Sequence, residues 1–285
     1  MRETTLYRRR IICGTASLRV SYLGFSLMGR PIILFAPSKK PLALVVGGIH
    51  GREHITCKLV LELAKNYVGE RVAFIPMLNP DGVEISVKGK TASSSGYGEK
   101  YEKWNGGNPD LSLWKANARG TDLNVNFPAD WGKGKDNKRL PSSENFIGNS
   151  PFSERETRLL RDYIAKINPY TVIAYHSKGE VIYYGYGDFK DSAKNLDALS
   201  SATGYPCEVA QNSCGGLKDW FIKVSGRPGY TIEVGSDRLS HPIPYSEFDK
   251  IYAQNKDIPT IAEEIAREQK KKEGSRVFVP DWYKL

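Results

Sequence analysis

Short apolar runs recur along the chain, separated by longer segments in which apolar positions follow a helical spacing. The runs at residues 42–46, 72–78, 172–176 and 230–234 are rich in Val, Ile, Leu and aromatic residues, as in strands that are buried on both faces of a sheet. Residues 55–67 place their apolar side chains on one face of a helix. Strands that alternate with helices in this way predict an α/β fold.

The segments around these runs carry turn and capping signals. Residues 18–35 are predicted to form a hairpin. Ser153 and Glu156 have the spacing of a capping box, which predicts a helix that starts at Ser153 and leads to the run at 172–176. The stretch from 88 to 150 is rich in Gly, Asn, Ser and Lys. It is too polar for a core, and we expect a long loop that walls a functional cleft.

Composition and cysteine usage limit the class of protein. A chain of 285 residues, 40% hydrophobic and 26% charged, can bury one full core, so we expect a single domain over residues 1–285. The sequence contains no secretory h-region and no membrane-spanning run, and its four cysteines show no Cys-x-x-Cys spacing. We therefore expect a cytoplasmic protein without membrane insertion, in which free thiols are favoured over a Cys207–Cys214 disulfide.

The chain is basic, with a formal net charge of +9. Such a charge fits an acidic partner, either a small anionic substrate or a nucleic acid. No nucleic-acid motif accompanies it, and the basic runs at 8–10 and 270–272 lie at the two ends of the chain. We interpret both runs as solvated faces, and we expect no nucleic-acid partner.

The strongest chemical signal lies just after the run at 42–46. A glycine pair follows that run, and His50 and Glu53 come next, three positions apart, so that both side chains can converge on one ion. His176 ends a second apolar run. Because two imidazoles and one carboxylate are the protein ligands of an open catalytic zinc site, we predict that these three residues bind Zn²⁺.

Two further residues indicate hydrolytic chemistry. Glu233 lies in an apolar run, where burial would raise its pKa toward that of a useful general base. The alternative for Glu233 is a buried ion pair with a nearby Lys or Arg, such as Arg227. Arg119 precedes a segment dense in side-chain amides and is predicted to stabilise an oxyanion. The alternative for Arg119 is an exposed guanidinium in a loop.

Five motifs occur in the order and spacing of one known family. They are His50-x-x-Glu53, Asn79-Pro-Asp-Gly82, Gly120-Thr-Asp-Leu-Asn-Val-Asn126, His176 and Glu233. From about residue 29 to about residue 234 the chain therefore resembles the zinc metallocarboxypeptidases. The resemblance implies a single α/β domain whose mixed central β-sheet is flanked by helices on both faces. It also implies one zinc ion and hydrolysis of an amide near a free carboxylate.

The resemblance further implies a role for each matching residue. His50, Glu53 and His176 would hold the zinc, Glu233 would be the general base, Arg119 would polarise the scissile carbonyl, and Asn124 would help to bind the substrate carboxylate. The chain departs from the family at Val125, where digestive members carry an Arg that pairs with the terminal carboxylate of the substrate. Val cannot form such an ion pair.

The segments at 124–132, 175–184 and 214–221 resemble instead the bacterial branch that cleaves the γ-D-glutamyl-diaminopimelate bond of cell-wall peptides. A peptidoglycan-derived peptide is then the expected partner, and its additional carboxylates need other donors. The candidate donors are Lys178, Ser213, Lys218 and Arg227. Three tyrosines would either line the pocket or pack against it, namely Tyr183, Tyr184 and Tyr186.

The sequence thus predicts a zinc-dependent metallopeptidase in which Glu233 accepts a proton from water and returns it to the leaving amine. Two other enzymes are alternatives: a metallocarboxypeptidase that acts on ordinary peptide C-termini, and a zinc-dependent deacylase of amino acids. A noncatalytic peptidoglycan-binding module is disfavoured because such a module needs no general base. The remaining histidines, His54 and His241, are predicted to be structural or exposed.

Overall fold

The structure is a computed structural model that describes residues 18–92, 98–210, 214–274 and 281. Within these residues, eight strands form one mixed sheet in the order β1-β2-β4-β3-β5-β8-β6-β7. The strands are β1 (Leu18–Phe25), β2 (Pro31–Pro37), β3 (Ala43–Val46), β4 (Val72–Ile75), β5 (Thr171–His176), β6 (Val181–Tyr184), β7 (Cys207–Val209) and β8 (Gly229–Glu233). Because β4, β3, β5 and β8 are mutually parallel, their carboxyl ends meet at one end of the sheet.

Helices cover both faces of this sheet. They are α1 (His54–Asn66), α2 (Pro80–Lys88), α3 (Gly98–Trp104), α4 (Arg155–Ile167), α5 (Ala193–Thr203), α6 (Leu217–Ser225), α7 (Phe248–Asn255) and α8 (Ile258–Glu273). Helices α1, α5, α7 and α8 pack on one face, and α4 and α6 pack on the other. The predicted fold class, a mixed sheet flanked by helices on both faces, is confirmed. No helix of the described residues is both long and apolar enough to cross a bilayer.

Strand β3 shows why the central runs are continuously apolar. Ala43 and Val45 contact the core on one face of the sheet, and Leu44 and Val46 contact the core on the other. All four side chains are fully buried. Successive residues of a strand point to opposite faces, so a strand covered on both sides needs an apolar residue at every position.

The predicted elements are found with small shifts at their ends. The hairpin is β1 and β2, and the runs that contain His176 and Glu233 are β5 and β8. Helix α4 begins at Arg155 with Glu154 as its N-cap residue, so the predicted cap at Ser153 was wrong by one position. The Ser153 hydroxyl instead donates to the Glu154 carboxylate at 2.7 Å.

The stretch at 88–150 is not the coreless loop that the sequence predicted. It contains α3, and its Tyr101, Trp114 and Ala116 pack with Ile85 of α2 in a third, smaller core. These apolar residues are widely spaced in a polar segment, so the composition of the segment did not indicate that they form a core. The described part of the stretch therefore packs beside the turn that carries His50 and Glu53, since Gly51 N donates to the Lys115 carbonyl at 3.0 Å.

Candidate active site

His50 and Glu53 lie in the turn that follows β3. The turn passes through Gly48, which has a φ of +57°, and a Cβ atom at that position would lie 2.5 Å from the Cys57 sulfur, so glycine is required. His50 then precedes a 3₁₀ turn, Gly51–Glu53, that leads into α1. The sequence predicts instead that both side chains lie in the first turn of the helix that follows the strand. The 3₁₀ turn brings His50 Nδ1 to 2.8 Å from Glu53 Oε1.

Asn79, which follows the neighbouring strand β4, holds this turn in place by hydrogen bonds. It is the N-cap residue of α2, where its Oδ1 accepts a hydrogen bond from Gly82 N at 2.9 Å. Its Nδ2 donates to the carbonyls of Ile49 and Ala116, both at 3.1 Å. Because Asn79 is completely buried, the Asn-Pro-Asp-Gly motif ties the His50 turn firmly to the segment around Ala116.

His176 and Glu233 end two neighbouring parallel strands, β5 and β8, and are paired in register. His176 Nδ1 lies 3.1 Å from His50 Nδ1 and 3.1 Å from Glu53 Oε2. His50, Glu53 and His176 are all buried, and their possible ligand atoms lie within 4.8 Å of one another. The structure therefore brings together the three residues that the sequence predicts as metal ligands.

This donor set fits a zinc ion. Two nitrogen ligands of a tetrahedral zinc are about 3.3 Å apart when each Zn–N distance is about 2.0 to 2.1 Å, and the two Nδ1 atoms here are 3.1 Å apart. His50 Nε2 lies 3.0 Å from Asp122 Oδ1. A proton on Nε2, shared with that carboxylate, leaves the lone pair of Nδ1 free for a metal.

Asp122 and Lys115 set the electrostatics behind His50. The second carboxylate oxygen of Asp122 lies 2.8 Å from Lys115 Nζ. Burial by itself would raise the pKa of Asp122, but the charges of Lys115 and His50 and their hydrogen bonds hold it well below its usual range. Asp122 therefore stays ionised, and it can orient the His50 ring for metal binding.

Glu233 presents an unpaired carboxylate oxygen beside this group. Its Oε2 atom is buried and has no hydrogen-bond partner among the described residues. Burial raises the pKa of Glu233, and Glu53 adds to the rise, whereas the charges of His176 and Lys115 oppose it. A carboxylate of this kind has the basicity that a general base needs near neutral pH.

The alternative partner of Glu233, Arg227, lies elsewhere. Arg227 Nε donates to Glu273 at 2.7 Å and its Nη1 donates to the Pro169 carbonyl at 2.7 Å. These contacts lie at the amino end of β5, whereas the metal ligands lie at its carboxyl end, about 15 to 20 Å away at the rise of a strand. The structure therefore pairs Arg227 with Glu273 instead of Glu233, and it does not bring Arg227 to the other predicted substrate-binding residues.

Arg119 is not brought to the metal ligands. Its side chain is 48% exposed, and its Nε lies 3.9 Å from Glu154 Oε2. Asn117 Oδ1 accepts hydrogen bonds from the backbone N–H groups of Arg119 and Thr121 at 2.9 and 3.1 Å. This tight turn places Arg119 beside Glu154.

Lys115 is the cation that sequence reasoning missed. Its charge acts on His50, Asp122 and Glu233 alike, and its side chain is only 18% exposed. The sequence carries no signal that singles it out, because a lysine between Trp114 and Ala116 is equally typical of a segment whose alternate side chains face solvent.

Two of the predicted substrate-binding residues lie close together beside this site. Asn124 N donates to Asp122 Oδ1 at 3.0 Å, and Asn124 Oδ1 accepts from Leu217 N at 3.1 Å. The next residue, Lys218, is 3% exposed. Its Nζ donates to the Gly185 carbonyl at 2.7 Å and to Asp219 at 2.6 Å. Two of its three N–H donors are thus used, and one is left for a ligand.

The other predicted donors are less central. Lys178 lies two residues after His176, and its Nζ donates to the Asp237 carbonyl at 2.6 Å. Ser213 lies outside the described residues. Of the tyrosines, Tyr184 packs against the core, Tyr186 donates to Asp130, and Tyr183 lies opposite Thr231 on β8.

The remaining histidines lie outside the converging group. His54 Nδ1 lies 3.1 Å from the Tyr245 hydroxyl, and His241 Nε2 lies 3.0 Å from the Ser177 carbonyl, and neither belongs to the group of possible metal ligands among the described residues. The three described cysteines, Cys57, Cys207 and Cys214, are free thiols in this structure. Cys13 lies outside the described residues.

Comparisons with known proteins agree with this geometry. The family model "Zinc carboxypeptidase" matches residues 16–211. Gamma-D-glutamyl-L-diamino acid endopeptidase 1 of Lysinibacillus sphaericus is 31% identical over 256 residues, which are 81% of this chain and 64% of that protein. The chain therefore spans less than two thirds of the length of this relative.

Solved structures share the fold. Bovine thrombin-activatable fibrinolysis inhibitor superposes with a TM-score of 0.69 at 21% identity, over 93% of this chain and 94% of that chain. Murein-tripeptide amidase from Escherichia coli O157 superposes with a TM-score of 0.61 at 22% identity, over 91% of this chain and 95% of that chain. The family match covers more than half of the chain and includes the converging His50, Glu53 and His176. We conclude that the chain belongs to the zinc carboxypeptidase family of metallopeptidases.

Proposed function

We propose that the protein hydrolyses the γ-D-glutamyl-diaminopimelate amide bond of peptidoglycan-derived peptides. The observation that carries the proposal is the convergence of two imidazole Nδ1 atoms and the Glu53 carboxylate beside the unpaired Oε2 of Glu233. The name of the L. sphaericus relative, a γ-D-glutamyl-diamino acid endopeptidase, supports the choice of bond.

In this proposal His50, Glu53 and His176 hold one zinc ion per chain. A zinc ion held there supplies Lewis acidity toward the scissile carbonyl and toward the attacking water. Glu233 Oε2 accepts a proton from that water and returns it to the leaving amine, which requires a carboxylate with a raised pKa. Asp122 keeps the proton of His50 on Nε2 and so fixes the orientation of the ring.

Lys115 takes the role that the sequence analysis assigned to Arg119. The negative charges of Asp122 and Glu53 both act on its ammonium group. A buried cation stabilises negative charge on a carbonyl oxygen better than an exposed one does. Asn124 and Lys218 are the proposed receptors of the substrate carboxylates. Val125 carries no charge, whereas the neighbouring Lys218 is a buried cation. Lys218 therefore favours a substrate that has an additional carboxylate.

Mass spectrometry of L-Ala-γ-D-Glu-meso-diaminopimelate incubated with the zinc-loaded protein tests the proposal. We expect release of free diaminopimelate, with no release after chelation of the metal. The Glu233→Gln variant should keep its zinc but lose a factor of at least about 10² to 10⁴ in turnover, the usual contribution of a general base.

Three outcomes would contradict the proposal. Hydrolysis of ordinary peptides with a free C-terminus, but not of the tripeptide, would assign the protein to carboxypeptidases of general specificity. Turnover of N-acyl amino acids without peptide cleavage would assign it to the deacylases. Full activity of Glu233→Gln would remove Glu233 from the mechanism.

A further inference from the structure

The loop at residues 235–243 follows β8 and packs against the turn at residues 177–179, which follows β5. Both ends of the loop contact the core. A Cβ atom at Gly235, whose φ is +78°, would lie 2.5 Å from the Ile243 side chain, and Ile243 is buried in the core. His241 lies two residues before Ile243, close to this anchored end of the loop.

His241 contacts the turn through one nitrogen atom. Its Nε2 lies 3.0 Å from the carbonyl oxygen of Ser177 and 3.1 Å from the Ser177 hydroxyl oxygen. Because a carbonyl oxygen only accepts hydrogen bonds, Nε2 carries a proton and acts as the donor. A second bond lies beside this one, since Gly179 N donates to the Gly235 carbonyl at 2.8 Å. His241 therefore holds the Ser177 carbonyl from the side of the loop.

The N–H group of Ser177 points to the proposed metal ligands. Ser177 N donates to Glu53 Oε2 at 3.3 Å, and His176 Nδ1 lies 3.1 Å from the same oxygen. Ser177 is only 5% exposed. Its two backbone groups thus have separate partners, since the N–H group donates to Glu53 and the carbonyl group accepts from His241.

The Ser177 N–H group can fix the orientation of the Glu53 carboxylate. Carboxylates that bind a metal are usually hydrogen-bonded themselves, and removal of such a partner weakens metal binding about 10- to 100-fold. The N–H and carbonyl groups of Ser177 are joined through one Cα atom, so a bond that holds the carbonyl restricts the two backbone angles of the residue. Loss of the His241 donor would therefore let the N–H group turn away from Glu53.

We propose that His241 is a positioning residue of the metal site, which holds Ser177 so that its N–H group stays directed at Glu53 Oε2. His241 acts through Ser177, and it is not one of the converging ligands among the described residues. The inference rests on the metal ligands of the proposed function, but it does not depend on which amide bond the protein hydrolyses.

The affinity for zinc, measured by competition with a chromophoric chelator, tests this proposal. His241→Phe keeps a ring but removes the donor, and it should bind zinc about tenfold more weakly, the lower end of the usual loss when a partner of a metal ligand is removed. His241→Gln keeps an N–H donor near the end of the side chain, and its zinc affinity should stay within about threefold of that of the unmodified protein.

Leu239→Ala is the matched control. Leu239 belongs to the same loop and packs against the core, but its side chain has no hydrogen-bonding group. The variant should lower the midpoint of urea unfolding because it removes buried apolar contacts. Its zinc affinity should nevertheless stay within about twofold of that of the unmodified protein, since the bond from His241 to Ser177 remains.

Equal zinc affinity of His241→Phe and the unmodified protein would overturn the proposal. An equal loss of affinity in Leu239→Ala would also overturn it, because loosening of the loop would then explain the effect. His241→Leu replaces His241→Phe if the latter does not fold. Absence of zinc binding by the unmodified protein would overturn both this inference and the proposed function, whereas the expected zinc affinities without hydrolysis of the tripeptide would contradict only the proposed function.

Discussion

Single buried ionisable residues in this protein take their charge state from their immediate neighbours. Asp122 is held ionised between His50 and Lys115. Glu156 has the opposite surroundings, since its Oε2 accepts only a long 3.4 Å bond from Asn117 and its Oε1 has no partner among the described residues. The pKa values of these two buried carboxylates are therefore shifted in opposite directions, down for Asp122 and up for Glu156.

Lys115 and Arg119 can be separated by substitution. Lys115→Met removes the cation beside Glu53 and Asp122 and should lower kcat/KM for the tripeptide by about 10² to 10³-fold, the usual loss for an oxyanion-stabilising donor. Arg119→Met removes an exposed side chain and should change kcat/KM less than about threefold. Zinc content, measured by atomic absorption, should stay stoichiometric in both. The opposite order of effects would restore Arg119 to the catalytic role.

Glu156 should make stability depend on pH. Burial, followed by the charges of Asp81 and Glu154, raises the pKa of Glu156 to about 7, from 4.5. Between these two values the folded state holds the proton that the unfolded state releases, so stability falls as the pH rises. From pH 5 to pH 8 the protein should lose about 2 to 3 kcal/mol more than the Glu156→Gln variant. Urea unfolding at both pH values measures this, and equal losses would contradict it.

At the scale of elements, the 3₁₀ turn Gly51–Glu53 positions two of the three predicted metal ligands. It is short, and it is held between the amino end of α2 and the segment at 114–116. A 3₁₀ turn is tighter than an α-helical turn. It therefore brings the side chains of His50 and Glu53 closer together than the first turn of an α-helix would.

Gly51→Ala tests how closely this turn is packed. A Cβ atom there would lie 2.4 Å from the Gly82 carbonyl oxygen and 2.7 Å from that of Trp114, and neither backbone can yield easily. We expect a loss of about 1 to 3 kcal/mol in the free energy of unfolding and weaker zinc binding. Gly134→Ala, whose Cβ would meet only the Asn137 side chain, should change neither. Differential scanning calorimetry and competition with a zinc chelator would show the contrast.

At the scale of the whole molecule, the two ends of the sheet carry different groups of residues. The three predicted metal ligands and Glu233 gather at the carboxyl ends of β3, β5 and β8. At the amino ends, Arg227 joins α8 to the start of β5 through its bonds to Glu273 and Pro169. The ion pair of Arg227 thus lies at the opposite end of the sheet from the predicted metal ligands, and ligands of open α/β sheets bind at the carboxyl ends of the strands.

Arg227→Met should therefore act on stability alone. Arg227 is 1% exposed, and its removal leaves Glu273 without its paired cation, at a cost of about 3 to 5 kcal/mol. The kcat of the folded fraction should remain within about twofold of that of the unmodified protein, since the site is remote. Urea unfolding gives the first quantity and active-site titration the second. A selective loss of activity without destabilisation would return Arg227 to the substrate site.

The sequence by itself determined the features that depend on local order. The apolar runs predict the central strands because strands covered on both faces need apolar residues throughout. The spacing from His50 to Glu53, and the positions of His176 and Glu233 at strand ends, predict a convergent group because parallel strands end together. The fold class could likewise be predicted.

Only the tertiary structure decided which residues meet across long separations. The proposal of Lys115 in place of Arg119 rests on the Asn117 turn, and the pairing of Arg227 with Glu273 depends on which end of the sheet it occupies. The core around Trp114 needs segments that are separated in sequence to pack together. Such contacts have no local signal, because the pattern of residues reports which side chains are buried but not which neighbours bury them.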